Sequence, residues 1–330
     1  METDKNILSE NKDNKENLEN FAFIDIGGTK ISVELLESQK YKNVEAIPIK
    51  SDSFGAKDFL TIKKGYEMNL VEIKELENSS VNCVLCKNDS VVPLLLIDSD
   101  EITGAMQNRI INDTLLVPAE SSLKIPVSCT EHGRWHYKGG AKESRAFKPS
   151  HYSANISTRR RKSRAAYEER HYQSDVWDSI DRFEQQAEYR SVTSSLNDSY
   201  ENLKEKQNDY LNKFKIEEGQ NGVIFVVNGE LKGIELFYNH SIYKEYHDKI
   251  FRSYIIEAIV DNESADEIER LEIMKTLENI SRCEVKKSKS VGLGENLKFS
   301  NDFGSGSGLV YDDELIHLTF YKDLDIGIIL

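Results

Sequence analysis

The chain has 330 residues, 38% of them hydrophobic and 30% charged, and a formal net charge of −14. That length can bury a sizeable core. The acidic balance argues against binding to duplex nucleic acid or to an anionic membrane surface, and no apolar run reaches the roughly 18 residues of a membrane-spanning helix.

Residues 1–20, METDKNILSENKDNKENLEN, lack the apolar stretch of a signal peptide and read as a disordered acidic tail. From 21 to 50, FAFIDIG, TKISVELL and VEAIPIK are strand-like runs, and DFLTIKKGYEMNL is a short amphipathic turn or helix. SVNCVLCK and VVPLLLID, joined by NDS, read as a hairpin. NDTLLVPAESSLKIPVSC supplies two further strands around a polar turn. Residues 142–170, with the basic run STRRRKSR, are expected to form a mobile surface loop. In HYQSDVWDSIDRF, Tyr172, Val176, Ile180 and Phe183 fall on one helical stripe, and SLNDSYENLKEKQNDYLNKF continues as a second helix. NGVIFVVNGELKGIELF is a hairpin around Asn228-Gly229. Helices follow over 240–280, and GSGLVYDDELIHLTFY closes the chain as a last hairpin. This order predicts a single large α+β domain over 21–330, a strand-rich core of antiparallel hairpins with a helical middle.

The four cysteines, Cys83, Cys86, Cys129 and Cys283, suit a reducing, cytoplasmic compartment. Cys83 and Cys86 make half of a zinc ligand set, but no second pair follows at ligand spacing. The cofactor is left open, a divalent metal included. FIDIGGTKISVELL (23–36) resembles the phosphate-binding hairpin of ROK-type sugar kinases. The second phosphate turn, the catalytic aspartate and the Cys/His zinc motif of such kinases have no counterpart at usable spacing. An ordinary hairpin turn at Gly27-Gly28 is the competing reading.

Unusual polar residues concentrate in DSDEITGAMQNR (98–109) and KIPVSCTEHGRW (124–135). With YQSDVWD and the glycine-rich C-terminal strands, they resemble the ARPP domain family, named for its association with ADP-ribosylglycohydrolases and with enzymes of the rhodanese-phosphatase superfamily. The resemblance covers about residues 40–320. The positions matching its pattern are Glu101, Gly104, Gln107, Asn108 and Arg109, then Cys129, Glu131, Gly133, Arg134 and Trp135, then Gln173 and Trp177. His132 stands where a glutamine-like residue is expected, Asp100 where a glutamate is usual, and IDIGGTK is unlike the family's usual start. The resemblance implies an ADP-ribose- or nucleotide-like ligand, ADP-ribose-processing or phosphatase partner proteins, and a prokaryotic conflict or nucleotide-processing setting.

If 124–136 is one strand, Val127, Cys129, Glu131 and Trp135 share a face, and Ser128, Thr130, His132, Arg134 and His136 share the other. Apolar surroundings would raise the Glu131 carboxyl and suit it, with Glu101, to acid/base work or metal binding. An ion pair of Glu131 with Arg109 or Arg134 is the structural alternative. Arg109 and Arg134 could grip a phosphate; Gln107, Asn108 and Gln173 could read a base or ribose; Trp135 could stack on a ring; His132 adds a titratable group. Core packing, backbone satisfaction or solvated faces would explain the same residues. Cys129 reads as a small buried hydrophobe rather than a nucleophile, and His317 as a core histidine. Arg159 belongs to a solvated loop or to a phosphate-gripping flap. The two segments are expected to converge on one pocket. The chain is thus read as a cytoplasmic protein that recognises a phosphorylated ADP-ribose- or nucleotide-like ligand, with hydrolysis of that ligand left open. The alternatives are a non-catalytic binding or interaction module using the same pocket and, behind it, a ROK-like sugar kinase. Homo-oligomerisation is left open.

Overall fold

The computed structural model describes residues 20–52, 55, 57–77, 80–136, 145–261 and 268–323. The acidic tail, except Asn20, and residues 142–144 of the predicted loop lie outside the described residues. In chain order the first elements are β1 (Phe21–Ile26), β2 (Thr29–Leu35), β3 (Gln39–Tyr41), β4 (Val44–Ser51), β5 (Leu60–Thr61), α1 (Ile62–Glu67), β6 (Val71–Lys74), β7 (Cys83–Asn88) and β8 (Leu94–Leu96). They are followed by β9 (Asp100–Gly104), β10 (Arg109–Ile111), β11 (Leu115–Val117), β12 (Ser121–Cys129), β13 (Ala146–Ser153), α2 (Ile156–Tyr167), α3 (Gln173–Gln186), α4 (Leu196–Asn202) and α5 (Lys204–Leu211). The last are β14 (Gly222–Val227), β15 (Glu230–Phe237), α6 (His240–Val260), α7 (Arg270–Ile280), β16 (Glu284–Lys289), β17 (Glu295–Asn301), β18 (Gly304–Tyr311) and β19 (Glu314–Lys322). The architecture is α+β, built on antiparallel pairing.

Ten strands form one sheet, in the order β1-β2-β4-β14-β15-β19-β18-β17-β16 with β3 beside β4. Its central strands β14, β15 and β19 are buried along nearly their whole length because both faces are covered. On one face Phe225, Phe237 and Tyr321 pack against Tyr243, Tyr246, Ile250 and Tyr254 of α6. On the other, Ile24, Ile47, Ile224 and Phe320 pack against Ile273, Leu277 and Ile280 of α7. The sheet curls until its ends meet. A Cβ at Gly27, in the β1–β2 turn, would lie 2.9 Å from Lys287 Cε and 3.2 Å from Val285 Cγ1 on β16. The turn itself is tied inward, the Gly28 N–H donating to Asp25 Oδ1 at 3.1 Å. The kinase-like stretch is therefore a hairpin turn packed on a neighbouring strand, with that amide already spent. Asn228 and Gly229, both at positive φ, turn β14 into β15 as their type predicts.

Six strands close into a barrel, β10-β12-β7-β6-β13-β9, whose lumen holds Ile73, Val84, Cys86, Ile102, Ile111, Ile125, Val127 and Phe147. The small β11-β8-β5 sheet adjoins it.

Three sequence expectations need correction. The NDS segment does not make a hairpin: β7 joins the barrel, while β8, buried on every residue, pairs with β5 and β11. Asn88 reaches across that junction to the carbonyls of Val92, Val117 and Pro118. The strand expected over 124–136 ends at Cys129. The predicted mobile loop, over 145–170, is mostly β13 and α2. Asn155 caps α2 by accepting from the Thr158 N–H at 2.9 Å, and Arg159 and Lys162 face the core, where Glu235 and Asp98 neutralise them. No helix among the described residues is long and apolar enough to cross a membrane.

Candidate functional site

The two motif segments meet on one wall of the barrel. In the register of β9, β10 and β12, Arg109 opposes both Ile102 and Cys129, and Ile110 opposes both Glu101 and Ser128. Directly opposed residues share a face. Ile102 belongs to the lumen core, so Arg109 and Cys129 face the lumen. Ile110 packs outward among Val176, Ile180 and Tyr200 of α3 and α4, so Glu101 faces the helices. The wall thus carries two polar constellations with different surroundings.

The outer one is a closed network. Arg134 grips Glu131 bidentately, Nε to Oε1 at 2.8 Å and Nη2 to Oε2 at 2.6 Å. Its remaining N–H groups reach Ala105 O (2.6 Å), His136 O (2.9 Å), Gly104 O (3.2 Å) and Asn108 Oδ1 (3.3 Å). Glu131 also accepts from the Asn108 N–H and from Thr193 Oγ1. Burial pushes the Glu131 carboxyl up, but these hydrogen bonds outweigh it and hold it below the usual carboxylate range. A glutamate so held is a poor proton donor. The pair clamps the Gly104–Asn108 turn between β9 and β10, and all the guanidinium donors of Arg134 are used. The sequence reading that left Arg134 free for phosphate is corrected accordingly.

Glu101 joins this network from β9. It is fully buried and accepts from Thr130 Oγ1 at 3.2 Å and from Asn197 Nδ2 at 2.8 Å. Burial lifts its carboxyl to about 7, against the lowering effect of those hydrogen bonds, and the nearby Glu131 charge adds to the rise. The two glutamates do approach each other, linked through Thr130, whose N–H donates to Asn108 O. Neither lines any of the four cavities described among the resolved side chains.

The inner constellation sits at the barrel mouth. Arg109 is 0% exposed. Its Nη1 donates to Gln107 Oε1 at 2.7 Å and to Cys129 Sγ at 2.9 Å. Its Nε makes no hydrogen bond, and its Nη2 makes only a long ion pair, with Glu75 Oε1 3.6 Å away across the mouth. A buried guanidinium left short of hydrogen bonds is uncommon, because each unmade one costs about 1–3 kcal/mol. Burial raises the Glu75 carboxyl, with the Arg109 charge opposing the rise. Burial likewise raises the Cys129 thiol despite Arg109, which keeps it protonated and unsuited to nucleophilic attack. Trp135 covers this spot, its ring 5.6 Å from the Arg109 guanidinium and the residue 46% exposed.

The profile of the ARG and Rhodanese-Phosphatase-superfamily-associated Protein domain (ARPP-1) matches residues 32–321. The chain belongs to this family. No curated protein and no solved structure matches it. ARG denotes ADP-ribosylglycohydrolase, so the family's name sets an ADP-ribose-related context and names no ligand or reaction.

Other residues singled out in this ARPP-domain chain lie apart from the mouth. Arg159 is buried in the core, 2.7 Å from Glu235, which also faces His317 Nε2 at 3.3 Å. It belongs to neither a surface loop nor a flap. Gln173 bonds both backbone groups of Cys129, accepting from its N–H at 2.8 Å and donating to its carbonyl at 3.0 Å. It takes the place of a neighbouring strand where β12 ends. His132 rests on the Trp177 ring, centroids 4.5 Å apart. Cys83 and Cys86 are three apart on a strand and so point to opposite faces. Among the described residues no group of His, Cys, Asp or Glu is placed to hold a metal ion. Sequence reasoning passed over Glu75, Thr193 and Asn197. Glu75 had a signal, an acidic residue ending an alternating strand, VEIKE; the other two had none, lying in polar segments far along the chain.

Proposed function

We propose that this ARPP-domain protein binds a phosphorylated, nucleotide-like ligand of the ADP-ribose class at the barrel mouth. The reading rests on Arg109 beneath the half-exposed Trp135: its Nε makes no hydrogen bond and its Nη2 only a long ion pair with Glu75. A guanidinium with two donors outside any hydrogen bond matches a phosphate oxygen pair, and an indole face takes a base. Glu75, raised toward its neutral form, can yield the Arg109 charge to an incoming anion. Gln107 fixes the orientation of Arg109 through Nη1. The family's name makes ADP-ribose-processing or phosphatase enzymes the natural partner proteins.

Hydrolysis is the second reading, and one feature favours it: burial pushes the Glu101 carboxyl up to about 7, where a general acid works best. Glu101 faces the helices, however, on the opposite side of the wall from Arg109, and Glu131 is committed to Arg134. Binding is therefore the primary activity in this reading.

Trp135 and Trp177 are the protein's two tryptophans. In a Trp177→Phe background, titration with ADP-ribose, AMP and NAD reads Trp135 alone. A saturable change in its fluorescence is expected, with thermal stabilisation of about 2.7 kcal/mol at 100 times the dissociation constant. Absence of both signals for all three ligands overturns the proposal. Release of ribose or phosphate from a bound ligand would promote the hydrolytic reading.

A further inference from the structure

The basic run that looked like a loop leads to a second site, separate from the barrel mouth. Helices turn their residues about 100° apart, so neighbouring arginines on α2 diverge. Arg159 and Lys162 point into the core, where each meets an acid. Arg160 and Arg161 point the other way, into a cleft of about 200 Å³ between α2 and α3. Across it α3 presents Ser179, Arg182, Phe183 and Gln186, spaced to lie on one helical face. Asn155 and Ser157 line the α2 end and Glu257 of α6 the floor.

Among the described residues, none of the three guanidinium groups makes a side-chain hydrogen bond or an ion pair, although Arg160 is only 9% exposed. Elsewhere this acidic chain pairs its buried cations: Arg109, Arg134, Arg159 and Lys162 each have an acidic neighbour. Asp175 and Asp178 attract Arg161 at a distance, but Asp175 lies 3.6 Å from Arg170 instead. Glu257 spends Oε1 on the Ser157 N–H at 2.6 Å. Burial raises its carboxyl, with Arg160 opposing the rise. Arg161 shows what the crowding costs: burial lowers its affinity for its proton, and the charges of Arg182 and Arg160 lower it further. Three like charges held together in a cleft that only the Glu257 carboxyl shares with them, with no ion pair between them and it, favour an anion that fills it.

We propose that the cleft between α2 and α3 binds the phosphate group of a small molecule, held by Arg160, Arg161 and Arg182. Its volume suits one phosphate with a small attached group. Ser179 and Gln186 supply neutral hydrogen-bond partners for that group, and Phe183 an apolar wall. The site shares no residue with the barrel mouth, so either can fail without the other.

The test is calorimetric titration of the full chain with inorganic phosphate, pyrophosphate and ribose 5-phosphate at low ionic strength, where exposed charges are least screened. The expected result, read in an R109M background that silences the barrel mouth, is saturable binding of at least one probe, weakened at least tenfold by adding the double substitution R161Q/R182Q and retained with R182K. Preference for ribose 5-phosphate over inorganic phosphate identifies an ester as the ligand; the reverse identifies the free ion. Without ligand, the double variant should melt no lower than the parent, because neutralisation relieves repulsion. Three outcomes overturn the proposal: no probe binds, the double variant binds as the parent does, or it melts lower and loses binding together, which marks the arginines as scaffold. A fourth does so too: binding seen in the parent but absent from R109M, which assigns the anion to the barrel mouth.

Discussion

Arg134 and Arg109 come from the two halves of one motif set and end on the same barrel wall, yet they do opposite work. Arg134 spends every donor on Glu131 and the Gly104–Asn108 turn. Arg109 is buried more deeply and leaves two nitrogens outside any hydrogen bond, one of them in a long ion pair with Glu75. The difference teaches that a conspicuous polar motif can be mostly scaffold, with the site beside it where hydrogen bonding is incomplete.

The largest effect should come from the scaffold half. Arg134→Ala strands Glu131 with part of its hydrogen bonding and no counter-charge, which costs about 3–5 kcal/mol. Chemical denaturation measures it, and a loss below about 1 kcal/mol would show that the clamp is ornamental.

Next comes Glu101. Its carboxyl rises from 4.5 to about 7 on folding. The folded protein then holds a proton the unfolded chain releases, so this stabilisation is complete below about pH 4.5 and is lost as pH rises through 7. At 1.36 kcal/mol per unit, the loss is roughly 3 kcal/mol. Unfolding free energies from urea titrations at pH 4 and pH 8 should differ by about that much more in the parent than in Glu101→Gln; identical profiles would refute the assignment.

The site half should behave the other way. Arg109→Met fills the same volume without charge, and Glu75 can become neutral beside it. Stability should change by less than about 1.5 kcal/mol. Affinity for ADP-ribose should fall about tenfold to a hundredfold, the worth of a hydrogen bond to a charged group. A variant destabilised by more than about 3 kcal/mol that still binds normally when folded would invert the comparison. Trp135→Ala should be the mildest for the fold, within about 0.5 kcal/mol because the ring is half in solvent. It should still weaken binding of adenine-bearing ligands relative to ribose 5-phosphate, and equal losses for both would remove the stacking role.

Much of this was legible from local pattern. The Asn228-Gly229 hairpin, the Val176–Ile180–Phe183 stripe of α3 and the helices over 240–280 all follow from signals a few residues long. The region over 145–170 was not. STRRRKSR looks solvated because Asp98 and Glu235, which let Lys162 and Arg159 be buried, lie far away along the chain. For the candidate site, the two segments were visible, and so was an ion pair of Glu131 with an arginine as one alternative. The division of labour was not. It depends on β12 stopping at Cys129, where Gln173 takes over its edge, and on Gly133, where a Cβ would lie 3.0 Å from Thr193 Cα. No alternation rule carries past a strand's end, so Arg134 turned inward and Trp135 outward.

The register of β9 against β10 has a consequence for how this chain can change. Glu101 and Arg109 face opposite sides of the wall because Ile110 and Ile102 are their partners. Sliding one strand by a single residue would bring Glu101 into an apolar lumen and turn Ile102 out to the helices. A single-residue insertion within β10 therefore scrambles both constellations at once, whereas a two-residue insertion preserves each side chain's face. Length variation in this strand is quantised in pairs.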